Sequence, residues 1–143
     1  MHTIHIGSDH AGVELKIFLK AELERLGYQV VDHGCESTES CDYAHIAHPL
    51  CEQVLADHAL GILICGTGIG MSMAANRHKG IRAALCGVEV MARLARAHND
   101  ANVLCLGARI IGRELALAIV VAFLQCSFEG GRHARRIGQI ELG

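Results

Sequence analysis

Short apolar runs alternate with helix-like segments along the chain, and this alternation limits the fold more than any other feature of the sequence. The apolar runs predict five strands, at Thr3–Ile6, Gln29–Asp32, Ala59–Cys65, Ile81–Leu85 and Val103–Leu106. Helices are predicted between and after them, at Val13–Leu26, Tyr43–Ala56, Ile69–Asn76, Val88–His98 and Arg113–Gln125. Such alternation favours parallel sheets with right-handed crossovers. We therefore expect an α/β fold over residues 1–143: a single doubly wound, Rossmann-like domain whose five-stranded parallel sheet carries helices on both faces.

Charge, hydropathy and cysteine content argue against several classes of protein. The net charge is −2 with ten neutral histidines, which gives no reason to expect nucleic acid or a membrane as a partner. The first residues, Met1–His5, lack the basic and apolar regions of a signal peptide. The longest apolar run, Leu115–Leu124, has about half of the roughly 20 residues that span a bilayer. Seven cysteines without a CxxC pair predict reduced thiols and a cytoplasmic protein.

Three local features refine this picture. Pro49 is the only proline, and we expect it to start or to kink the helix Tyr43–Ala56. The last segment, about residues 129–140, contains a cluster of basic side chains. The helix Arg113–Gln125 is apolar almost all round, whereas a helix that packs only one face on its own sheet has a polar stripe. A second buried face on this helix predicts an oligomer.

The predicted topology brings several polar loops together. In parallel α/β sheets, ligands bind outside the carboxyl ends of the strands. The loops at this edge contain Asp9-His10, Cys65-Gly66-Thr67 and Gly107-Ala108-Arg109. His98-Asn99-Asp100 precedes the fifth strand and lies at its other end. These three residues are therefore candidates for a neighbouring subunit's site rather than their own.

The segment Cys65-Gly66-Thr67-Gly68-Ile69-Gly70 places a thiol and three glycines where a buried strand turns into a helix. Glycines let the backbone approach a ligand, and amides at a helix N-terminus favour negative charge. Met71 stands where a dinucleotide-binding G-x-G-x-x-G motif has its last glycine, so a small anion is the better hypothesis. A tight turn without a ligand is the alternative. Cys65 itself has two interpretations. It is either a buried thiol of the core or a thiolate that the helix N-terminus stabilises, beside the Thr67 hydroxyl.

The other candidates also have structural alternatives. Asp9 either caps the next helix or contacts a ligand, and His10 is placed to donate to a phosphate. Arg132 and Arg136 are four residues apart, which suits a phosphate clamp or simply a solvated basic surface. The spacing His45-x-x-His48-x-x-Cys51 is possible for metal ligands. Because Pro49 disturbs that helix and no carboxylate accompanies it, we expect no metal there.

Seven sequence blocks together closely resemble the ribose-5-phosphate isomerase B family, which also includes allose- and galactose-6-phosphate isomerases. The blocks are Gly7–Gly12, Asp42-Tyr43, Cys65–Gly70, Ala74–Arg77, Gly80–Ala83, His98–Leu104 and Glu129–His133. They occur in family order over nearly the whole chain. The Cys-Gly-Thr-Gly and His-Asn-Asp blocks are the most specific of them.

The resemblance implies a cofactor-free isomerase that interconverts ribose 5-phosphate and ribulose 5-phosphate through an enediolate. It implies Cys65 as the base, with Thr67 beside it, and His98 in ring opening. It also implies a homodimer or a dimer of dimers with sites shared between subunits. The residues that it assigns to the phosphorylated sugar are Asp9, His10, Gly66, Thr67, Gly68, Ile69, Gly70, Asn99, Arg109, Arg132 and Arg136.

The chain departs from the family pattern at a few positions. One branch of the family uses a glutamate base in the helix after the glycine loop, where this chain has Met71. Since Met71 cannot take a proton, the resemblance points to the Cys65 thiolate. Ala44 stands where members often have proline, and Pro49 is unusual. A six-carbon phosphosugar isomerase and a non-catalytic phosphosugar-binding protein are the alternative functions.

Overall fold

The strands and helices lie close to where the sequence predicts them. The structure is a computed structural model that describes residues 2–36 and 39–142. The strands are β1 Thr3–Ser8, β2 Gln29–Asp32, β3 Leu60–Cys65, β4 Ala83–Leu85 and β5 Val103–Gly107. The α-helices are α1 Val13–Arg25, α2 Tyr43–Asp57, α3 Ile69–Ala75, α4 Glu89–Asn99, α5 Arg113–Gln125 and α6 Arg132–Ile137. A short 3-10 helix, His10–Gly12, precedes α1.

The five strands form one parallel sheet in the order β2-β1-β3-β5-β4. The central strand β3 is almost entirely buried, because helices cover both faces of the sheet. Its alternate side chains enter different clusters: Ile62 and Ile64 pack with α1, α4 and α5, whereas Leu63 and Cys65 pack with α2 and α3. The predicted doubly wound α/β fold is confirmed.

Two local predictions are corrected. Pro49 lies inside α2, which begins at Tyr43, so it does not start the helix. Its side chain is exposed, so the ring points away from the core of the α2 layer. Strand β4 begins at Ala83 rather than Ile81, because the Ile81 N–H donates to the carbonyl of His78 in a turn.

The mostly apolar helix α5 is covered on one face only. Ala116, Ile119, Val120 and Phe123 are buried in the first cluster, while Leu115 is 36% exposed. Leu117 and Val121 are partly exposed. Within one chain, part of the apolar surface of α5 therefore remains in contact with solvent. None of the helices in the described ranges is both long and apolar enough to cross a membrane.

Candidate active site

Cys65 is the last residue of β3, and its sulfur faces the backbone of the glycine loop. The residue is only 5% exposed, and its side chain packs in the second core cluster. The Gly68 N–H nevertheless donates to Cys65 Sγ at 3.1 Å. Gly68 makes this contact with a φ of +82°, a conformation that glycine adopts without strain. The thiol thus lies at the boundary between core and loop, with a backbone donor on it.

The glycine loop is held by close packing against the loop after β5. The Ala108 N–H donates to the Cys65 carbonyl and the Arg109 N–H to the Gly66 carbonyl, both at 2.9 Å. A Cβ at Gly107 would lie 2.6 Å from the Thr67 carbonyl oxygen, so only glycine fits there. A Cβ at Gly66 would lie 3.3 Å from Arg109 Nη1, so the guanidinium of Arg109 lies over the glycine loop.

Thr67 and the residues after it complete the loop. The Ile69 N–H donates to Thr67 Oγ1 at 3.2 Å, and both residues are exposed. A Cβ at Gly70 would lie 2.7 Å from the ring of Tyr43. Tyr43 is 44% exposed at the start of α2, at the rim of the loop. The resemblance included Tyr43 in a block but gave it no role, since nothing in the sequence indicates its contact with Gly70.

Asp9 and His10 lie at the same edge of the sheet. The Asp9 N–H donates to the Ile64 carbonyl at 3.0 Å, directly beside Cys65 in β3. Asp9 Oδ1 accepts from the Ala11 N–H at 2.9 Å, so the carboxylate does cap the following 3-10 helix. The Cys41 nitrogen lies 3.1 Å from His10 Nδ1. The same Nδ1 lies 3.3 Å from the Cys41 carbonyl oxygen, so the tautomer of His10 decides whether Nδ1 accepts from the Cys41 N–H or donates to that carbonyl.

The remaining candidates lie at the opposite edge. His98 and Asn99 end α4 and precede β5, whose last residue, Gly107, pairs with Cys65. Arg132 and Arg136 are exposed on α6, which packs against α4. One chain therefore brings Asp9, His10, Arg109 and the glycine loop to Cys65. It does not bring His98, Asn99, Arg132 and Arg136 there.

His98 stacks on His133, a residue that the sequence analysis did not single out. Their ring centroids are 4.1 Å apart and their planes differ by 9°. Burial lowers the pKa of His133, and the neighbouring His98 and Arg132 lower it further. The Glu129 N–H donates to the Ala97 carbonyl at 2.9 Å and holds the preceding loop against α4. The family block Glu129–His133 was the one sequence signal for this contact.

The three residues of the His45-x-x-His48-x-x-Cys51 spacing in α2 do not face a common point. His48 Nδ1 lies 2.7 Å from His78 Nε2, so its hydrogen bond goes to another segment. Cys51 is fully buried, and burial raises the pKa of its thiol to about 12. The side chain of His45 is 80% exposed at the start of the helix.

Comparison with known proteins agrees with this geometry. The family model described as Ribose/Galactose Isomerase matches residues 4–140. The chain belongs to this family. Ribose-5-phosphate isomerase B of Escherichia coli is 46% identical over 141 residues, which cover 98% of this chain and 95% of that protein.

Solved structures of family members share the fold at high similarity. A ribose 5-phosphate isomerase of Thermotoga maritima has a TM-score of 0.95 and 54% identity, covering 97% of both chains. The Mycoplasma genitalium enzyme, solved with bound ribulose-5-phosphate, has a TM-score of 0.94 and 44% identity. That match covers 97% of this chain and 93% of the Mycoplasma chain.

Proposed function

We propose that this protein is an aldose–ketose isomerase that interconverts ribose 5-phosphate and ribulose 5-phosphate. The single observation that carries the proposal is the Cys65 thiol at the glycine loop, in a chain of this family. Relatives that are 44–54% identical are named ribose-5-phosphate isomerases, and one of them is solved with ribulose-5-phosphate bound. Their likeness extends over nearly the whole chain.

In the proposed reaction Cys65 moves one proton between the first two carbons of the sugar. The thiolate takes the proton from C2 of the open aldose, and the electron pair moves onto the carbonyl as an enediolate forms. Return of the proton to C1, together with transfer of the O2 hydroxyl proton to O1, gives the ketose. The reaction has no net oxidation and requires no external electron acceptor, so the proposal includes no cofactor.

The glycine loop supplies stabilisation where negative charge develops. The Gly68 and Ile69 N–H groups already donate to Cys65 Sγ and Thr67 Oγ1, so the other backbone amides of Gly66–Gly70 and the Thr67 hydroxyl are the donors proposed for the enediolate oxygens. Loss of one such donor typically lowers turnover about a hundred- to a thousandfold. The Gly68 N–H donates to Cys65 Sγ, which holds the sulfur against the loop.

The cationic residues are assigned to the phosphate and His98 to the ring. Arg109 lies over the loop, and His10 lies at the same edge with its Nδ1 against the backbone of Cys41. Arg132 and Arg136 add two guanidiniums, whose fork geometry suits phosphate oxygens. His98 opens the furanose by exchanging a proton with the ring oxygen, and Asp9 and Asn99 contact the sugar hydroxyls. Binding of the remote phosphate orients the reacting carbons.

We propose a homodimer in which each site takes residues from both subunits. His98, Asn99, Arg132 and Arg136 cannot reach Cys65 of their own chain, since the sheet separates them. Helix α4 runs the length of the sheet and exposes Val90, Met91 and Leu94 at 44–48%. A two-fold axis across α4 would bury this apolar face and bring His98 of one chain toward the glycine loop of the other.

A cytoplasmic location is part of the proposal. The structure describes all seven cysteines, and none of them forms a disulfide bond. Cys51 and Cys105 are fully buried among apolar side chains, which is typical of reduced core thiols.

The test is isomerisation of ribose 5-phosphate by the wild type and by Cys65→Ala, with allose 6-phosphate as the six-carbon comparison. We expect the wild type to prefer ribose 5-phosphate and Cys65→Ala to lose nearly all turnover while keeping its fold by circular dichroism. Turnover of neither sugar by the wild type would refute the substrate. Near-full turnover by Cys65→Ala would refute Cys65 as the base.

A further inference from the structure

The side chain of Arg82 caps the carboxyl end of α4, the end of the helix that carries His98. Arg82 comes just before β4, at the amino edge of the sheet. Its Nε–H donates to the carbonyl oxygens of Asn99 at 2.9 Å and of Asp100 at 3.1 Å. Its Nη2–H donates to the Asp100 carbonyl at 2.9 Å and to Asp100 Oδ2 at 3.2 Å. One guanidinium thus binds carbonyls that the end of a helix leaves without intrahelical partners.

The Asp100 carboxylate joins Arg82 to a second arginine, which belongs to α4 itself. Arg96 Nη1 donates to Asp100 Oδ1 at 3.0 Å and to the Ala101 carbonyl at 2.7 Å. Asp100 has a φ of +46°, in the left-handed region that most side chains avoid. The side chains of Arg82 and Arg96 are only 23% and 14% exposed. Two largely buried arginines therefore hold this unusual backbone turn in one conformation.

The backbone of Arg82 is itself held by the segment that follows Asp100. The Arg82 N–H donates to Asn102 Oδ1 at 2.8 Å, and the Arg82 carbonyl accepts from the Asn102 N–H at 3.0 Å. Asn102 Nδ2 also donates to the Gly80 carbonyl at 2.9 Å. The strands that follow these two segments, β4 and β5, are paired. The Arg82 guanidinium therefore reaches α4 from the edge of the sheet rather than from a free loop.

His98 depends on this arrangement because its own side chain is partly open to solvent. The His98 side chain is 38% exposed, and it lies in the last turn of α4, where helices fray. On one side the His98 ring stacks on His133. On the other side Arg82 binds the carbonyl of Asn99, the residue directly after His98. The backbone that sets the direction of the His98 side chain is thus fixed from β4.

We propose that Arg82 and Asp100 are positioning residues for ring opening: they hold the end of α4 so that His98 keeps the orientation that the sugar requires. The inference rests on the proposed function, since it assigns two further residues to the same reaction. Neither residue contacts the sugar; both act through the backbone that carries His98. The family block Gly80–Ala83 contains Arg82, but the resemblance gave this block no role.

Steady-state kinetics with Arg82→Met tests the inference first. The substitution removes every guanidinium contact and keeps most of the apolar stem. Displacement of a reacting group by about 1 Å can cost about a hundredfold in rate, so we expect kcat for ribose 5-phosphate to fall by that order. KM should change far less, because the phosphate is bound by other residues. Lys79→Met, an exposed cation in the same connection, is the matched control and should keep both constants.

A double-mutant cycle separates positioning from a merely structural effect. His98→Gln removes the group through which Arg82 is proposed to act. Adding Arg82→Met to His98→Gln should therefore lower the residual turnover far less than Arg82→Met lowers that of the wild type. Losses that multiply would mean that Arg82 acts independently of His98 and would overturn the inference.

Asp100→Gly covers the case in which Arg82→Met does not fold. Glycine suits the left-handed backbone at this position, so this variant should unfold at the urea concentration of the wild type. It loses the carboxylate contacts with both arginines, and kcat should fall by about tenfold, less than in Arg82→Met because the carbonyl contacts remain. A folded Asp100→Gly with the kcat of the wild type would overturn the role of Asp100.

Histidine NMR follows the position of His98 without reference to turnover. The His98 ring signals, assigned by their loss in His98→Gln, should shift in Arg82→Met and Asp100→Gly, because the ring moves against His133. They should stay unchanged in Lys79→Met. Unchanged His98 signals in Arg82→Met and Asp100→Gly would overturn the inference. A wild type that does not isomerise ribose 5-phosphate would refute the proposed function, whereas the NMR shifts would still show that the two residues hold His98.

Discussion

At the scale of single residues, the candidate site depends on how closely two backbone loops approach. Gly107, the last residue of β5, lies against the Thr67 backbone, and Gly70 lies against the Tyr43 ring. Both contacts use the missing side chain of glycine. The geometry around Cys65 is therefore set by packing between loops as much as by the loop's own conformation.

The first prediction concerns Gly107→Ala. The new Cβ would lie 2.6 Å from the Thr67 carbonyl oxygen and 2.9 Å from its Cα, so the backbone must move. We expect a loss of about 1–3 kcal/mol in the free energy of unfolding, typical of overpacking. A displacement near 1 Å at the reacting groups can cost about a hundredfold in rate, and kcat/KM should fall by that order. Urea unfolding and steady-state kinetics measure the two effects.

Gly87→Ala is the control for this prediction. A Cβ at Gly87 meets nothing within 4 Å, and the residue is exposed. This variant should keep the stability and kcat/KM of the wild type. If Gly107→Ala behaved like Gly87→Ala, the close approach of the two loops would have no influence on the site.

The second prediction concerns which cysteines react with iodoacetamide at pH 8. Burial raises the pKa of the Cys51 thiol to about 12 and that of Cys86 to about 11. Both thiols stay protonated at pH 8, and they are at most 2% exposed, so we expect neither to react in the folded protein. Cys126, which is partly exposed, should react.

Mass spectrometry of peptides gives the extent of modification at each position. All seven cysteines should react in urea, where burial is lost. Inactivation should follow modification of Cys65 and slow in the presence of ribose 5-phosphate. Labelling of Cys51 or Cys86 as fast as Cys126 would show that the core opens more readily than its packing indicates.

Parts of the site that are contiguous in sequence could be predicted, and parts formed by tertiary contact could not. Cys65 and Thr67 belong to one loop whose strand and helix are visible as patterns. The contact of Tyr43 with Gly70 joins two separate elements, and neither residue alone indicates it. The stacking of His133 on His98 likewise depends on how α6 packs against α4.

At the scale of secondary-structure elements, a buried lysine joins α1 to the segment after β2. Lys16 is 1% exposed, and its Nζ donates to Asp32 Oδ1 at 2.9 Å and to the Cys35 carbonyl at 2.6 Å. The same segment pairs with the end of β1, since the Ser8 N–H donates to the Gly34 carbonyl at 2.7 Å. Lys16 thus supports the strand end that leads into Asp9 and His10.

The third prediction is that Lys16→Met lowers the free energy of unfolding by about 3 kcal/mol, the order expected when one partner of a buried ion pair is removed. Lys20→Met is the matched control. Lys20 Nζ is 3.9 Å from Asp32 Oδ2 and 36% exposed, so its loss should cost less than about 1 kcal/mol. Equal losses of stability in the two variants would show that burial of Lys16 does not strengthen its ion pair with Asp32.

The pH dependence of the stability difference between the wild type and Lys16→Met shows whether the ion pair with Asp32 causes it. Burial opposes ionisation of Asp32, but hydrogen bonds from Lys16 and the Gly34 N–H lower its pKa overall. A lowered folded-state pKa gives stability that is present above the unfolded value, about 3.9, and is lost as pH falls through the folded value. The difference in the free energy of unfolding between the wild type and Lys16→Met, measured by urea titration, should therefore become smaller below about pH 4.

Most helices and strands could be predicted because the spacing of apolar residues and the positions of glycines can be read from short stretches of sequence. The bounds of β2 and α5 agree with the structure at both ends. The prediction that Pro49 starts the helix was wrong: proline favours the first turn, but here it lies exposed in the interior of α2. The alternative, a kink at Pro49, stays a prediction. The sequence pattern at Ile81 could not show that this apolar residue packs from a turn rather than from a strand.

At the scale of the whole molecule, the two groups of proposed site residues lie at opposite edges of one sheet. Helix α4 connects those edges: it starts after β4 at the carboxyl edge and ends with Asn99 before β5. Its 11 residues span about 16 Å, and Val90, Met91 and Leu94 are 44–48% exposed along it. A sequence shows that this helix is amphipathic but not which copy covers its outer face. If the sites are shared as proposed, their subunit contacts are the part of the site that the sequence does not reveal.

The last prediction is that two inactive variants restore activity when their subunits are mixed. Cys65→Ala and His98→Gln homodimers each lack one proposed group in both sites and should be nearly inactive. If sites are shared, a mixed dimer has one site that carries both substitutions and one that carries neither. Random exchange makes about half of the dimers mixed, so an equimolar mixture should regain about a quarter of wild-type turnover. The measurement is ribose 5-phosphate isomerisation after subunit exchange in mild denaturant, with each variant treated alone as the control. A mixture that stays as inactive as its components would contradict shared sites. Cys65 and His98 of the same chain would then have to act on one substrate, although His98 lies at the amino edge of the sheet.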